Sequence, residues 1–246
     1  MSISQELKKT VSLNGKRYYD VGIDKLLPSV TTVIGEFADK SGIKHWIERV
    51  GAEKAQKITK FSANRGTVMH QMIEYFLTSF EREERLRLME AREKIKSYCE
   101  SEGFTRDERR MGERLFYNFY NTDTFDRIKR VDKLEEAVWS TKNGGFAGRT
   151  DAIYENQNGG IIILDFKTAR KAKKRKWIDD YFLQAAAYYI AYWEMTGVKP
   201  EGGEIWISNE QEGFPQVFEI YEKDMQYYGA KFLTMVKDFH TKYNED

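Results

Sequence analysis

The chain has 246 residues, enough for one well-filled globular domain, or one domain carrying a sizeable helical insertion, and short for two independent cores. Apolar residues make up 41% before the 18 glycines are added, which excludes disorder as a description of the whole chain. Forty basic residues against thirty-nine acidic ones leave a charge of +1, so nucleic-acid binding must rest on a local cluster, and a single cysteine, Cys99, excludes both an intrachain disulfide and a multi-cysteine metal site.

Met1 to Thr10 is polar and lacks the apolar core of a signal peptide, so an intracellular protein is expected. Arg17 to Val21 predicts a short strand before a turn at Pro28. Ile43 to Thr59 and Asn64 to Phe80 carry helical periodicity. From Glu81 to about Arg130 the sequence is dense in Glu, Arg and Lys with apolar residues at helical spacing, interrupted near Gly103 and at Asn121 to Thr124; several solvated helices fit. Within them Phe116, Tyr117, Phe119 and Tyr120 recur too densely for a purely solvated face; most read as core, with one or two free to stack on unpaired bases.

Leu134 to Ser140, Phe146 to Tyr154 and Ile161 to Thr168 predict three strands of an antiparallel meander, separated by Asn143-Gly144-Gly145 and by Asn156 to Gly160. A helix follows from about Asp180 to Met195. Its apolar stretch, Tyr181 to Trp193, is too short to span a bilayer and reads as buried. Strands around Glu204 to Ser208 and Gln216 to Ile220 and a last amphipathic helix from Glu222 to about Tyr243 complete the chain. The expectation is a mixed α/β fold: one domain over 1–246, with 81–130 a helical elaboration placed to arch over the active site.

The chemistry concentrates in Phe146 to Asp151 and Ile161 to Thr168. Strand alternation puts Asp165 and Lys167 on one face and Ile162, Leu164 and Phe166 on the other. If the two segments pair, Asp151 approaches Asp165, and two close carboxylates repel unless a cation lies between them; a hard divalent ion is the natural guest. An ordinary strand-end ion pair between Asp165 and Lys167 is the plainer reading. Against it, the strand is nearly continuous in large apolar residues and so central, where an unpaired charge is costly.

Gly148-Arg149-Thr150-Asp151, Asp165-Phe166-Lys167-Thr168, and Gln184 with Tyr188 resemble the PD-(D/E)XK nuclease superfamily and, within it, the RecB-type exonuclease branch. Upstream, Leu27 to Val33, Arg65-Gly66-Thr67 leading to His70, and Leu134-Glu135 before Ala137-Val138 are similar to the mitochondrial genome maintenance exonucleases and their phage relatives. The resemblance implies a restriction-endonuclease-like core with a central mixed sheet flanked by helices. It implies Asp151, Asp165, the Phe166 carbonyl and His70 as ligands of Mg²⁺ or Mn²⁺, and Lys167, Asp165, Asp151 and Glu135 as the catalytic set. Glu136 alternates to the face opposite Glu135 and stays open as its substitute. Glu74, one turn beyond His70, lies on the same helical face and could orient it.

Gln184 and Tyr188, four apart on one helix, can face the site together, and the resemblance puts them near the scissile strand; otherwise they are a polar spot on a buried helix. Ser29 and Thr31 read equally as phosphate donors or as turn and cap residues. Arg170, Lys171, Lys173 and Lys174 belong to a run of six basic residues in seven, from Arg170 to Lys176, that would track a phosphate backbone. The expected activity is metal-dependent hydrolysis of DNA from single-stranded ends in replication, recombination or repair. A structure-specific endonuclease or a non-catalytic DNA-binding subunit are the alternatives. No GxxxxGK[ST] sequence occurs, so unwinding would need a helicase partner, with a single-strand-binding protein a further candidate. The resemblance to phage enzymes adds the expectation of a bacterial cytoplasm or a phage-infected cell.

Overall fold

The computed structural model describes residues 9–243, so most of the polar N-terminal segment discussed above lies outside it. Strands β1 (Lys9–Leu13) and β2 (Lys16–Asp20) pair antiparallel. Asn14 and Gly15 join them with φ of 49° and 73°, the two-residue turn that suits right-twisted strands. Of the two strands only the second was expected from the sequence. β3 (Leu27–Pro28) adds a short edge, and the chain then enters α1 (Val30–Phe37) where only a turn was expected. Ser29 caps α1, its side chain accepting the Thr32 N–H at 2.9 Å.

Helices α2 (Ser41–Val50) and α3 (Ala52–Leu77) meet at Gly51, whose φ of 85° ends the first of them. The break therefore falls at Gly51, and α3 runs unbroken through residues 60–63, between the two helical segments expected from the periodicity. Helices α4 (Glu84–Ser101) and α5 (Arg106–Tyr120) are separated at Gly103, and Thr105 with Glu108 forms a capping box on α5.

Strands β4 (Ile128–Leu134), β5 (Ala137–Ser140), β6 (Phe146–Arg149), β7 (Ala152–Asn156) and β8 (Ile161–Ala169) follow, then α6 (Asp179–Thr196), β9 (Gly202–Asn209), β10 (Gln216–Tyr221) and α7 (Glu222–Tyr243). The expected meander is corrected in two places. Its first strand breaks at Glu135, whose φ is 49°, and its second at Thr150-Asp151. Glu135 N–H donates to the Asp151 carbonyl and Thr150 N–H to the Glu136 carbonyl, so the two breaks hold each other. As a result β5 and β6 pair in a small sheet of their own, while β4, assigned in part to the helical region, takes the place beside β7.

The main sheet has the order β10-β9-β8-β7-β4, with β8 and β9 parallel and the other neighbours antiparallel. It is a mixed central sheet covered by helices on both faces, as expected. Ile163, Ile205 and Ile207 pack with α1, α6 and α7 through residues such as Val33, Phe182 and Phe232. Ile162, Leu164, Phe166 and Trp206 pack on the other face with α3, α4 and α5 through Met72, Ile95 and Phe116. Phe116 and Phe119 are fully buried in that layer, and Tyr117 and Tyr120 pack against it. Among the described residues no helix is long and apolar enough to cross a membrane.

Candidate active site

The register Ala152↔Leu164 between β7 and β8 sets Asp151 across from Asp165. Asp151 Oδ2 accepts the Phe166 backbone N–H at 2.7 Å, which ties the break before β7 to the central strand. Asp165 is fully buried on the α6 face, where its Oδ1 accepts Gln184 Nε2 at 3.0 Å. Its Oδ2 lies 2.5 Å from Lys167 Nζ but accepts no aligned hydrogen bond among the described residues, so a buried carboxylate oxygen retains capacity for a further cation. Burial pushes the Asp165 carboxyl up to about 6 although Lys167 opposes it, and the nearby Asp151 charge adds to the rise. Burial disfavours the Lys167 ammonium, but Asp165 and Asp151 outweigh it and raise the pKa, so Lys167 is cationic.

From the opposite helical layer α3 delivers His70, whose Nδ1 stands 3.5 Å from Asp151 Oδ1. Burial works against its charged form, yet Asp151 raises its pKa overall. Burial likewise works against the Asp151 carboxylate, and His70, Lys167 and the Phe166 N–H more than compensate, lowering its pKa. Glu135, turned inward by its left-handed φ, joins them: His70, Glu135 and Asp151 each offer one ligand atom, all within 4.8 Å of one another. Burial, then the Asp151 charge, push Glu135 up to about 7, against the pull of Arg149 and His70. An imidazole and two carboxylates at this spacing fit a hard divalent cation such as Mg²⁺, and Mn²⁺ better still.

Two of the trio, His70 and Asp151, belong to the ligand set that the resemblance implies. Glu135, from the implied catalytic set, is the third member, whereas Asp165 is not one of the three and is engaged by Gln184 and Lys167. Phe166 is anchored through its N–H to Asp151, and its ring is buried in the opposite layer, edge-on to His70 at 6.3 Å. Glu74 lines the same cavity as His70 and accepts a hydrogen bond from Gln71.

Gln184 also donates to Tyr188 Oη at 3.1 Å, so the two α6 residues and Asp165 form one chain of contacts. Ser29 is buried and caps α1, Thr31 is exposed, and both line a cavity of about 530 Å³ with Arg17, Tyr19, Gln184 and Tyr188. Arg170, Lys171 and Lys174 are exposed just beyond β8, and Lys173 is half-buried. Gln216 clasps the Lys173 backbone at 2.6 Å and 3.0 Å, and Arg175 of the same run is committed to Asp224. One residue escaped the sequence reading: Arg149, which contacts Glu135 and lines both this cavity and a second of about 620 Å³ beside His70. Its position two residues before Asp151 was the available signal.

A family model described as the PD-(D/E)XK nuclease superfamily matches residues 40–242. The chain belongs to that superfamily. Asp151 and the Asp165-Phe166-Lys167 triplet stand in the order that the superfamily's name spells, and the β1–β3 hairpin and α1 precede the matched region. No curated protein matches. Among solved structures, the protein named SSO0001 is 20% identical with a TM-score of 0.31, over 45% of this chain and 56% of its own. A protein from Eubacterium rectale, named as a candidate exonuclease, is 13% identical with a TM-score of 0.45, over 72% of this chain and 65% of its own. This nuclease-superfamily chain thus spans less than two thirds of either.

Proposed function

We propose that this protein is a divalent-metal-dependent deoxyribonuclease that degrades DNA from single-stranded ends, in the manner of the RecB-type exonucleases. The observation that carries the reading is the convergence of Asp151, Asp165 and Lys167 with His70 and Glu135 at one place on the sheet. The order of motifs from Leu27 to Tyr188 supports the exonuclease branch, and with it a place in DNA replication, recombination or repair.

His70, Glu135 and Asp151, with Asp165 Oδ2 beside Lys167, would hold the ion; a bound divalent ion polarises a phosphate and lowers the pKa of the water it binds. Lys167, cationic and half-buried, supplies a compact positive charge against the charge that grows on the phosphate oxygens. Gln184 fixes the Asp165 carboxylate, and Tyr188 fixes Gln184. Arg170, Lys171, Lys173 and Lys174 neutralise backbone phosphates beyond β8, and Ser29 and Thr31 flank the strand on the α1 side. Residues 81–130 belong, on this reading, to the same single nuclease unit.

End-labelled linear and covalently closed circular single-stranded DNA, incubated with Mg²⁺, Mn²⁺ or EDTA, test the assignment. The expected outcome is metal-dependent loss of the linear substrate alone. Lys167→Ala should lower kcat by roughly 10²–10³-fold while DNA binding persists. Cut circles would establish an endonuclease, and intact substrates under every metal would establish a DNA-binding subunit.

A further inference from the structure

Arg149 closes β6, directly opposite Ala137 of β5. Its Nε donates to the Glu135 carbonyl oxygen at 2.7 Å and lies 3.1 Å from Glu135 Oε2. An Nε carries one hydrogen, which the carbonyl takes at the shorter distance, so the hold on the carboxylate is charge attraction and is the weaker of the two links. Neither Nη donates to a protein acceptor among the described residues, and the side chain is 55% exposed. The pair also forms the partition between the two cavities, since Glu135 and Arg149 line both. Glu135 has its backbone fixed by the left-handed φ of 49° and by its N–H bond to Asp151. Its carboxylate is therefore the mobile part.

We propose that Arg149 is a substrate-binding residue that exchanges partners: it neutralises Glu135 in the metal-free site and, once Glu135 serves as a metal ligand, turns to a phosphate of the substrate strand. The inference rests on the nuclease reading above. It follows from the position of one carboxylate, which contacts a guanidinium and has an oxygen within 4.8 Å of ligand atoms of His70 and Asp151. An ion entering among His70, Glu135 and Asp151 competes for the Glu135 oxygens and repels the guanidinium. The freed group is a planar fork suited to a phosphate, held in the lining of both cavities by the carbonyl bond that the exchange leaves intact. The site thus presents its phosphate-binding arginine only when loaded.

Two measurements test this without relying on turnover. Mn²⁺ binding followed by electron paramagnetic resonance, in the absence of DNA, should tighten roughly two- to fivefold in Arg149→Ala, because the competing counter-charge is gone. Arg149→Lys, which keeps the charge, should stay near the unaltered protein. Single-strand binding followed by fluorescence anisotropy over a salt series gives the second readout. In EDTA the Arg149→Ala and unaltered proteins should share one slope, whereas with Ca²⁺ the variant's slope should be shallower by about 0.7, the loss of one phosphate contact. Unchanged Mn²⁺ affinity, or a slope difference already present in EDTA, would overturn the exchange. Absence of cleavage alongside the expected Mn²⁺ and salt responses would instead sink the nuclease reading and leave the exchange standing.

Discussion

Gly148 shows how a single position ties the strand to the site. Its backbone needs no left-handed angle; what it needs is room, because a Cβ there would stand 2.4 Å from Cε1 of Tyr188. The Tyr188 hydroxyl accepts from Gln184, and Gln184 holds Asp165, so displacing the ring pulls on the buried carboxylate. Gly148→Ala should cost about 1–3 kcal/mol through overpacking and reduce cleavage. In a double-mutant cycle, Gly148→Ala combined with Tyr188→Ala should lose clearly less stability than the two single losses added, measured by urea unfolding; strict additivity would show that the ring is not the obstacle. The shared face of Asp165 and Lys167 and the approach of Asp151 were legible, because a period of two needs no tertiary knowledge. The demand for glycine at 148 was not, because the ring that imposes it comes from a helix forty residues later.

At the scale of elements, local chemistry marked boundaries better than periodicity did. Asn14-Gly15, Gly51 and Gly103 each sit at a junction with positive φ, whereas β4 was hidden because its charged run of Lys129, Arg130, Asp132 and Lys133 continues the helical region expected to end near Arg130 and leaves only Leu134 to read as strand. Helix α1 depends on a partner remote in sequence. Its Glu36 accepts Lys242 Nζ at 2.6 Å and Tyr243 Oη at 2.7 Å from the end of α7, and Lys242 and Tyr243 hold the carboxyl below its usual range. A carboxylate whose pKa falls on folding contributes stability above its unfolded pKa and loses it as pH drops through the folded value. Glu36→Gln should therefore be less stable than the unaltered protein at pH 7, by up to about 1 kcal/mol. The gap should close as pH falls from about 5 to 3, read from unfolding midpoints at each pH. A gap that stays constant would mean that packing, not charge, joins α1 to α7.

Over the whole molecule, the two helical layers divide labour through the alternation of the central strands. The parallel register Leu164↔Glu204 puts Glu204 on the face of Leu164 and Trp206, opposite the face that carries Asp165 and Lys167. There Glu204 accepts Arg127 Nη2 at 2.5 Å, Tyr154 Oη at 2.9 Å and Trp206 Nε1 at 2.6 Å. Arg127 has a second partner in Glu219, but the buried tyrosine and indole donors have Glu204 as their acceptor. Removing it strands polar groups in an apolar layer and weakens a buried ion pair, which costs about 3–5 kcal/mol. Glu204→Ala should thus lower the melting temperature sharply, and Glu204→Gln, which keeps an acceptor oxygen, should lower it less. Because the sheet separates this network from Asp165 and Lys167, both variants should retain the kcat of the unaltered protein at temperatures where circular dichroism shows them folded. A fall in kcat in a fully folded variant would mean that strain on one face of β9 reaches Asp165 through the parallel β8–β9 ladder, and that the α3–α5 layer acts on the site through the sheet as well as through His70.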